Sequence, residues 1–221
     1  MNDPFDTSAA RSRILTRIRT AQGRGEPTLF DDSRNDDYLK RHPRGPQPAP
    51  YADVVTTFVE RAERMASSVV RVGSTLEVPL ACARYLDQQQ LPMRAACWNT
   101  LSSFDWKKAG IDAEFRPPHE DDLVGISGSF CGIAETGTLL FLSGPNTPAT
   151  THLWPETHIA ILERSRVVSV MEDAFDLMRH ERRELPRAAN FVSGPSRTGD
   201  IEQTIVLGAH GPYRVHIIVV G

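Results

Sequence analysis

Between Gly125 and Pro145 the chain reads GISGSFCGIAETGTLLFLSGP, and no other run limits its possible folds as much. The run holds five glycines, one acid (Glu135), threonines at 136 and 138, and an apolar stretch from Leu139 to Leu142. Glycines permit backbone shapes and close approaches that larger residues forbid. An apolar run directly after such a loop reads as a buried strand. A carboxylate between glycine turns at the lip of a buried strand fits the place where an α/β protein holds a ligand or a reacting group. It also fits a tight β-turn crossover with Glu135 facing solvent. The residues of the run leave both readings open.

The rest of the chain supplies the context. Residues 7–22 predict a helix with Thr7 or Ser8 as cap and a narrow stripe of Ile14, Leu15 and Ile18, its other faces mostly arginine. Residues 23–50 carry five prolines among polar residues and read as an extended linker. Residues 1–50 are thus an N-terminal helical arm and Pro-rich linker, and a core domain begins at Tyr51 and runs to 221. There the pattern alternates. Helices are expected over 51–67, 75–90 and 170–184, and strands over 69–72, 94–98, 111–116, 138–143, 158–163, 167–170, 190–193 and 214–220. This alternation predicts an α/β fold, a mostly parallel sheet flanked by helices.

Composition excludes several classes. A formal charge of −3 gives no electrostatic footprint for nucleic acid. Three cysteines, 82, 97 and 131, are too few for a disulfide framework and fall short of the four thiolates of a typical iron–sulfur cluster. Cys131 has no local base and reads as a small packing residue. No segment has the length and apolarity of a membrane span, and the N-terminus lacks the apolar core of a signal peptide. The expected location is cytoplasmic.

Three groups of residues can carry chemistry. In Glu135-Thr136-Gly137-Thr138 the glutamate can serve as base, nucleophile or acceptor, and the hydroxyls can donate to an anion; the threonines can equally close the turn on their own backbone. In Ser193-Gly194-Pro195-Ser196-Arg197-Thr198-Gly199-Asp200-Ile201-Glu202 a strand ends and a helical turn is expected, with Ser196 or Thr198 as cap. Asp200 and Glu202 fit dipole-favouring capping as well as catalysis. Histidines 152, 158, 210 and 216 lack the spacing of a helical metal pair, and each alone fits a structural role.

The runs GIAETGTLLFLSGP, LWPETHIA and SGPSRTGDIEQTIVLGAHGP, in this order, resemble the LUD-domain family and, within it, its lactate-utilisation branch. The resemblance covers about residues 51–221. It implies a fold similar to the group of ribose-5-phosphate isomerase, CoA transferases and formyltetrahydrofolate cyclo-ligase. It also implies a role beside iron–sulfur subunits in a system that oxidises L-lactate to pyruvate. The clusters would then sit in partner proteins, with no cofactor or metal in this chain. By its motifs, Glu135, Asp200 and His210 are candidate catalytic residues. Thr136, Gly137, Thr138, Ser193, Gly194, Ser196, Glu202 and His158 are candidate ligand-binding residues. They are expected to gather around a small anionic ligand at the carboxyl edge of the sheet. Two other functions stay open: a stand-alone transferase or isomerase using Glu135 on a thioester or sugar phosphate, and a non-catalytic assembly or regulatory subunit gripping partners with helix 7–22.

Overall fold

The structure, a computed structural model, describes residues 7–25, 29–182, 184–199 and 206–221, without the side chains of residues 29–32. The chain divides into two units, residues 1–46 and 47–221. In the first, α1 spans Ser8–Ala21, follows Thr7 without a side-chain cap bond, and buries no residue. The second helix, α2, spans Leu29–Arg41, where an extended linker was expected. The prolines lie outside it, at 27 and from 43 onward, and the segment between contains neither proline nor glycine. Nothing there breaks a helix, although no apolar stripe announces one.

The second unit opens with α3 (Val54–Arg64). Asp53 caps it, accepting from the amides of Val55 and Thr56 at 3.0 and 3.1 Å. Its buried Phe58 and Ala62 face the core. Strand β1 (Ser68–Val72) leads through a 3-10 turn at Thr75–Glu77 into α4 (Val78–Gln88). Then come β2 (Arg94–Cys97), β3 (Asp112–Glu114), β4 (Val124–Gly128), β5 (Cys131–Ile133) and β6 (Thr138–Leu142). The run continues with α5 (Thr150–Leu153), β7 (Thr157–Glu163), β8 (Val167–Val168), α6 (Met171–Glu181) and β9 (Ala189–Val192). It ends with β10 (Arg197–Thr198), β11 (Val206–Leu207) and β12 (Arg214–Val220).

Six strands form the central sheet in the order β1-β12-β7-β4-β2-β3, every pair parallel. Gly125, His158 and Val215 stand abreast across its middle. The residues of β7 and β12 are buried in near-continuous runs, as in a sheet covered on both faces. Phe58, Leu86, Ile126, Ile159, Ile217 and Ile218 are among the fully buried side chains of this core.

A second sheet, β8-β5-β6-β9, grows from the first. The chain passes from β4 into β5 with two residues between them, so one stretch serves both sheets. The glycine run expected as a loop is therefore mostly strand, and its loop is reduced to a hairpin turn between β5 and β6. Cys131, Ile133, Leu140 and Leu142 of this sheet pack with Ala174 and Met178 of α6. Beyond Ser196 the expected helical turn is instead β10, paired antiparallel with β11. Asp200 and Glu202 lie outside the described residues.

Candidate functional site

The hairpin turn and the segment after β9 meet because their strands pair. β6 and β9 are antiparallel, with Leu139 opposite Val192, which places Thr138 beside Ser193. The Oγ1 of Thr138 lies 2.6 Å from Thr136 Oγ1 and 2.5 Å from Ser193 Oγ, a chain of three hydroxyls. Both turns close onto α3. Gly137 (φ +68°) is so near that a β-carbon would stand 2.4 Å from the Ala62 nitrogen. At Gly194 (φ +76°) it would stand 2.0 Å from the Met65 carbonyl oxygen. Arg197 donates to that same oxygen at 3.1 Å.

Glu135 is half-buried. Its Oε2 accepts from the backbone amide of Met171 at 3.3 Å, the first residue of α6. Val170, at the cap position, has no side-chain acceptor, so Glu135 supplies one from another element. The backbone carbonyl of Glu135 accepts from Arg61, whose guanidinium also lies over Tyr51, 5.4 Å from the ring centre. Arg61, Arg64, Met65, Glu135, Thr136 and Ser193 line a surface pocket of about 530 Å³. Of the candidate residues, the structure brings Glu135, Thr136, Thr138 and Ser193 together here. The two arginines of α3 were not singled out in the sequence.

Ser196 turns the other way. Its amide donates to Pro212 O at 2.9 Å and its carbonyl accepts from Gly208 at 2.9 Å. This ties it to the turn that carries exposed His210 into β12. Among the described residues no hydrogen bond joins His210 to Glu135. His158, the second residue of β7, is fully buried, with Nε2 2.8 Å from Ser127 Oγ and Phe141 edge-on at 5.3 Å. Burial, and then the neighbouring His152, hold its pKa well below the usual histidine value. It lines neither this pocket nor the cleft below.

The expected location at the carboxyl edge is corrected by these contacts. Met65 closes the end of α3 just before β1 begins, and Pro212 stands just before β12 begins. The loops that carry Gly137, Gly194, Ser196 and His210 therefore gather toward the amino ends of the parallel strands. The reason is the hairpin: β5 carries the chain back from the carboxyl side, so the turn between β5 and β6 lies at the other end.

The carboxyl edge holds a different set. The neighbours β2 and β4 continue in opposite directions, one to β3 and the other, through the second sheet, to β7. Such a fork leaves a crevice beyond the strand ends, where ligands of open α/β sheets are held. A cleft of about 500 Å³ lies there, lined among others by Thr75, Trp98, Thr100, Ser129, Phe130 and Arg166. Trp98 directly follows β2 and Ser129 directly follows β4. Arg166 is held in a two-pronged pair with Glu181, at 2.5 and 3.0 Å. Its Nε donates to Phe130 O at 2.8 Å, and its guanidinium lies 4.6 Å from the Phe130 ring centre. With Glu163 and Arg182 also in the lining, acids and bases balance among the described residues. Strand-end positions are the sequence signal that marks this cleft, and they become visible only once strand order is known.

His119, Asp121 and Asp122 bring ligand-type atoms within 4.8 Å of one another. Asp122, however, already accepts from Arg116 at 2.5 and 3.1 Å and from the His119 amide at 2.6 Å. That arrangement locks the loop before β4. Cys97 and Cys131 are buried free thiols whose pKa values burial pushes up to about 12, and the thiol of Cys82, also buried, is raised further. No helix of the described residues is long and apolar enough to cross a membrane.

A sequence model of the LUD domain matches residues 93–220, more than half of the chain. Among curated proteins the chain is 36% identical over 97 residues to the uncharacterized protein NMB1437 of Neisseria meningitidis, covering 44% of this chain and 42% of that one. It is 32% identical over 133 residues to Lactate utilization protein C of Bacillus velezensis, covering 55% of each. The chain thus spans about half the length of these two relatives. With Lactate utilization protein C 1 of Bacillus mycoides the match reaches 181 residues at 29% identity, 77% of this chain and 76% of that one. The crystal structure of a DUF162 family protein from Deinococcus radiodurans superposes with a TM-score of 0.60 at 22% identity, covering 79% of this chain and 100% of that one. That superposition shows the fold, and the domain match shows the kinship: the chain belongs to the LUD domain family.

Proposed function

We propose that this chain takes part in L-lactate utilisation as a small-molecule-binding subunit that works beside iron–sulfur proteins. The observation that carries the reading is the 181-residue similarity to Lactate utilization protein C 1 of Bacillus mycoides. Oxidising L-lactate to pyruvate releases two electrons and two protons, so the system needs an electron acceptor. Three cysteines, with thiols that burial disfavours as thiolates, support assigning the metal clusters to partners. Unpaired thiols also suit a reducing compartment such as the cytoplasm. The cleft at the β2/β4 fork is the site we assign to the small molecule, because it lies at the strand-order switch and combines aromatic walls with hydroxyl groups.

The test is growth on L-lactate as sole carbon source. A host lacking the gene grows only when the full chain is restored, and the chain pulls down proteins with iron–sulfur absorbance from lactate-grown cells. Thr100→Trp, at an exposed wall position, fills the cleft and slows growth several-fold at normal protein level. Undiminished growth of the deletion strain on L-lactate overturns the reading.

A further inference from the structure

We propose a second ligand site in the pocket between α3 and the hairpin turn: a seat for a small oxyanion, carboxylate or phosphate, gripped by Arg64 and by the hydroxyl chain of Thr136, Thr138 and Ser193. The argument begins with a proton count. Thr138 is buried, and its hydroxyl meets Thr136 and Ser193. A buried hydroxyl is costly to leave without an acceptor, and among the described residues Thr138 meets no other, so its single proton goes to one of them. That residue, having accepted, keeps its own proton for something outside the chain. Thr136 and Ser193 both line the pocket, so an outward O–H is presented there whichever way the chain runs.

Charge favours the same occupant. Among the described residues the lining holds two guanidinium groups, Arg61 and Arg64, against one carboxylate, Glu135. That carboxylate is already engaged at Oε2 by the α6 amide. Arg61 is anchored by the Glu135 carbonyl and the Tyr51 ring. Arg64 is exposed and makes no ion pair among the described residues. A guanidinium fork matches the planar, two-oxygen edge of a carboxylate or a phosphate. A cation would face two arginines.

The site stands on its own geometry and does not depend on the role proposed above. Calorimetric titration of the full chain with L-lactate, pyruvate and inorganic phosphate tests it. At low salt, the carboxylates or the phosphate bind with Kd below about 1 mM, which identifies the source of the oxyanion. Arg64→Gln and Ser193→Ala each weaken that binding by about tenfold or more, whereas Arg84→Gln, at an exposed arginine that lines neither pocket, leaves it unchanged. Circular dichroism and urea midpoints equal to those of the parent chain show that the variants fold. Absence of binding by all three probes overturns the inference. So does binding that both pocket variants leave unaltered.

Discussion

Gly137 and Gly194 share one neighbour, the last turn of α3, and each reaches it through a backbone shape that L side chains rarely adopt. A methyl group at either position meets main chain at 2.4 Å or less, and main chain cannot swing aside as a side-chain tip can. Gly137→Ala and Gly194→Ala should each destabilise the fold by about 3 kcal/mol, in the range of strain combined with overpacking. Gly199 has open space around its missing β-carbon and no left-handed backbone, so Gly199→Ala should stay within about 0.5 kcal/mol of the parent chain. Urea midpoints read all three, and equal midpoints would refute this account. Glu135 shows how far a conspicuous residue can be read. The sequence marks it as the lone acid of a glycine-rich turn, but its duty as cap for α6 depends on a helix that starts 36 residues later at Met171, behind a valine at the cap position.

Among the elements, α5, β7 and β12 each place a histidine in the interior. His152 and His158 lie 5.9 Å apart, and His216 stacks on Tyr85 at 3.9 Å. Burial lowers the pKa of His152 and of His216 to about 4, and that of His158 moves the same way. A histidine kept neutral in the fold binds its proton more readily once unfolded. Its stabilising share is therefore complete above pH ~6.5 and fades as pH falls toward 4. A displacement from the ordinary 6.5 to about 4 corresponds to at most about 3 kcal/mol for each group. Unfolding free energy from urea curves should be level near pH 7.5 and fall by several kcal/mol by pH 4.5. His216→Phe, which keeps a ring against Tyr85, should make the fall shallower; an unchanged slope would count against this origin. The same elements show what patterning reveals. Periodicity marks α3, α4 and α6, and apolar runs mark β6, β7 and β12, because buried stripes and buried strands impose composition. It misses α2, whose described side chains, 33–41, are all exposed, and β4, whose Gly125 and Gly128 imitate a loop although both lie in ladder register with β7.

For the molecule as a whole, the division at residue 46 is a statement about independence. The residues of the buried core cluster all lie between Phe58 and Val220, and α1 buries none. A chain of residues 47–221 should fold alone, with a cooperative urea transition at the midpoint of the full chain; loss of that cooperativity would refute the division. The class of fold could be read from alternation, because each strand and each helix reports its own burial. The two pockets could not. The fork cleft collects Thr75, Trp98, Thr100, Ser129 and Arg166 from four separate connections, and only strand order makes them neighbours. Between that cleft and the hairpin pocket runs one piece of backbone. From Gly128 to Glu135 it is clamped first in the parallel ladder, Gly128 to Ile161, and then in the antiparallel one, Ile133 to Thr138. Neither clamp can slip without the other failing, so the piece works as a rigid spacer of at most ~23 Å, seven residues at strand rise. Lining substitutions at its two ends should consequently add without cross-talk, each cavity keeping its address whatever is done to the other.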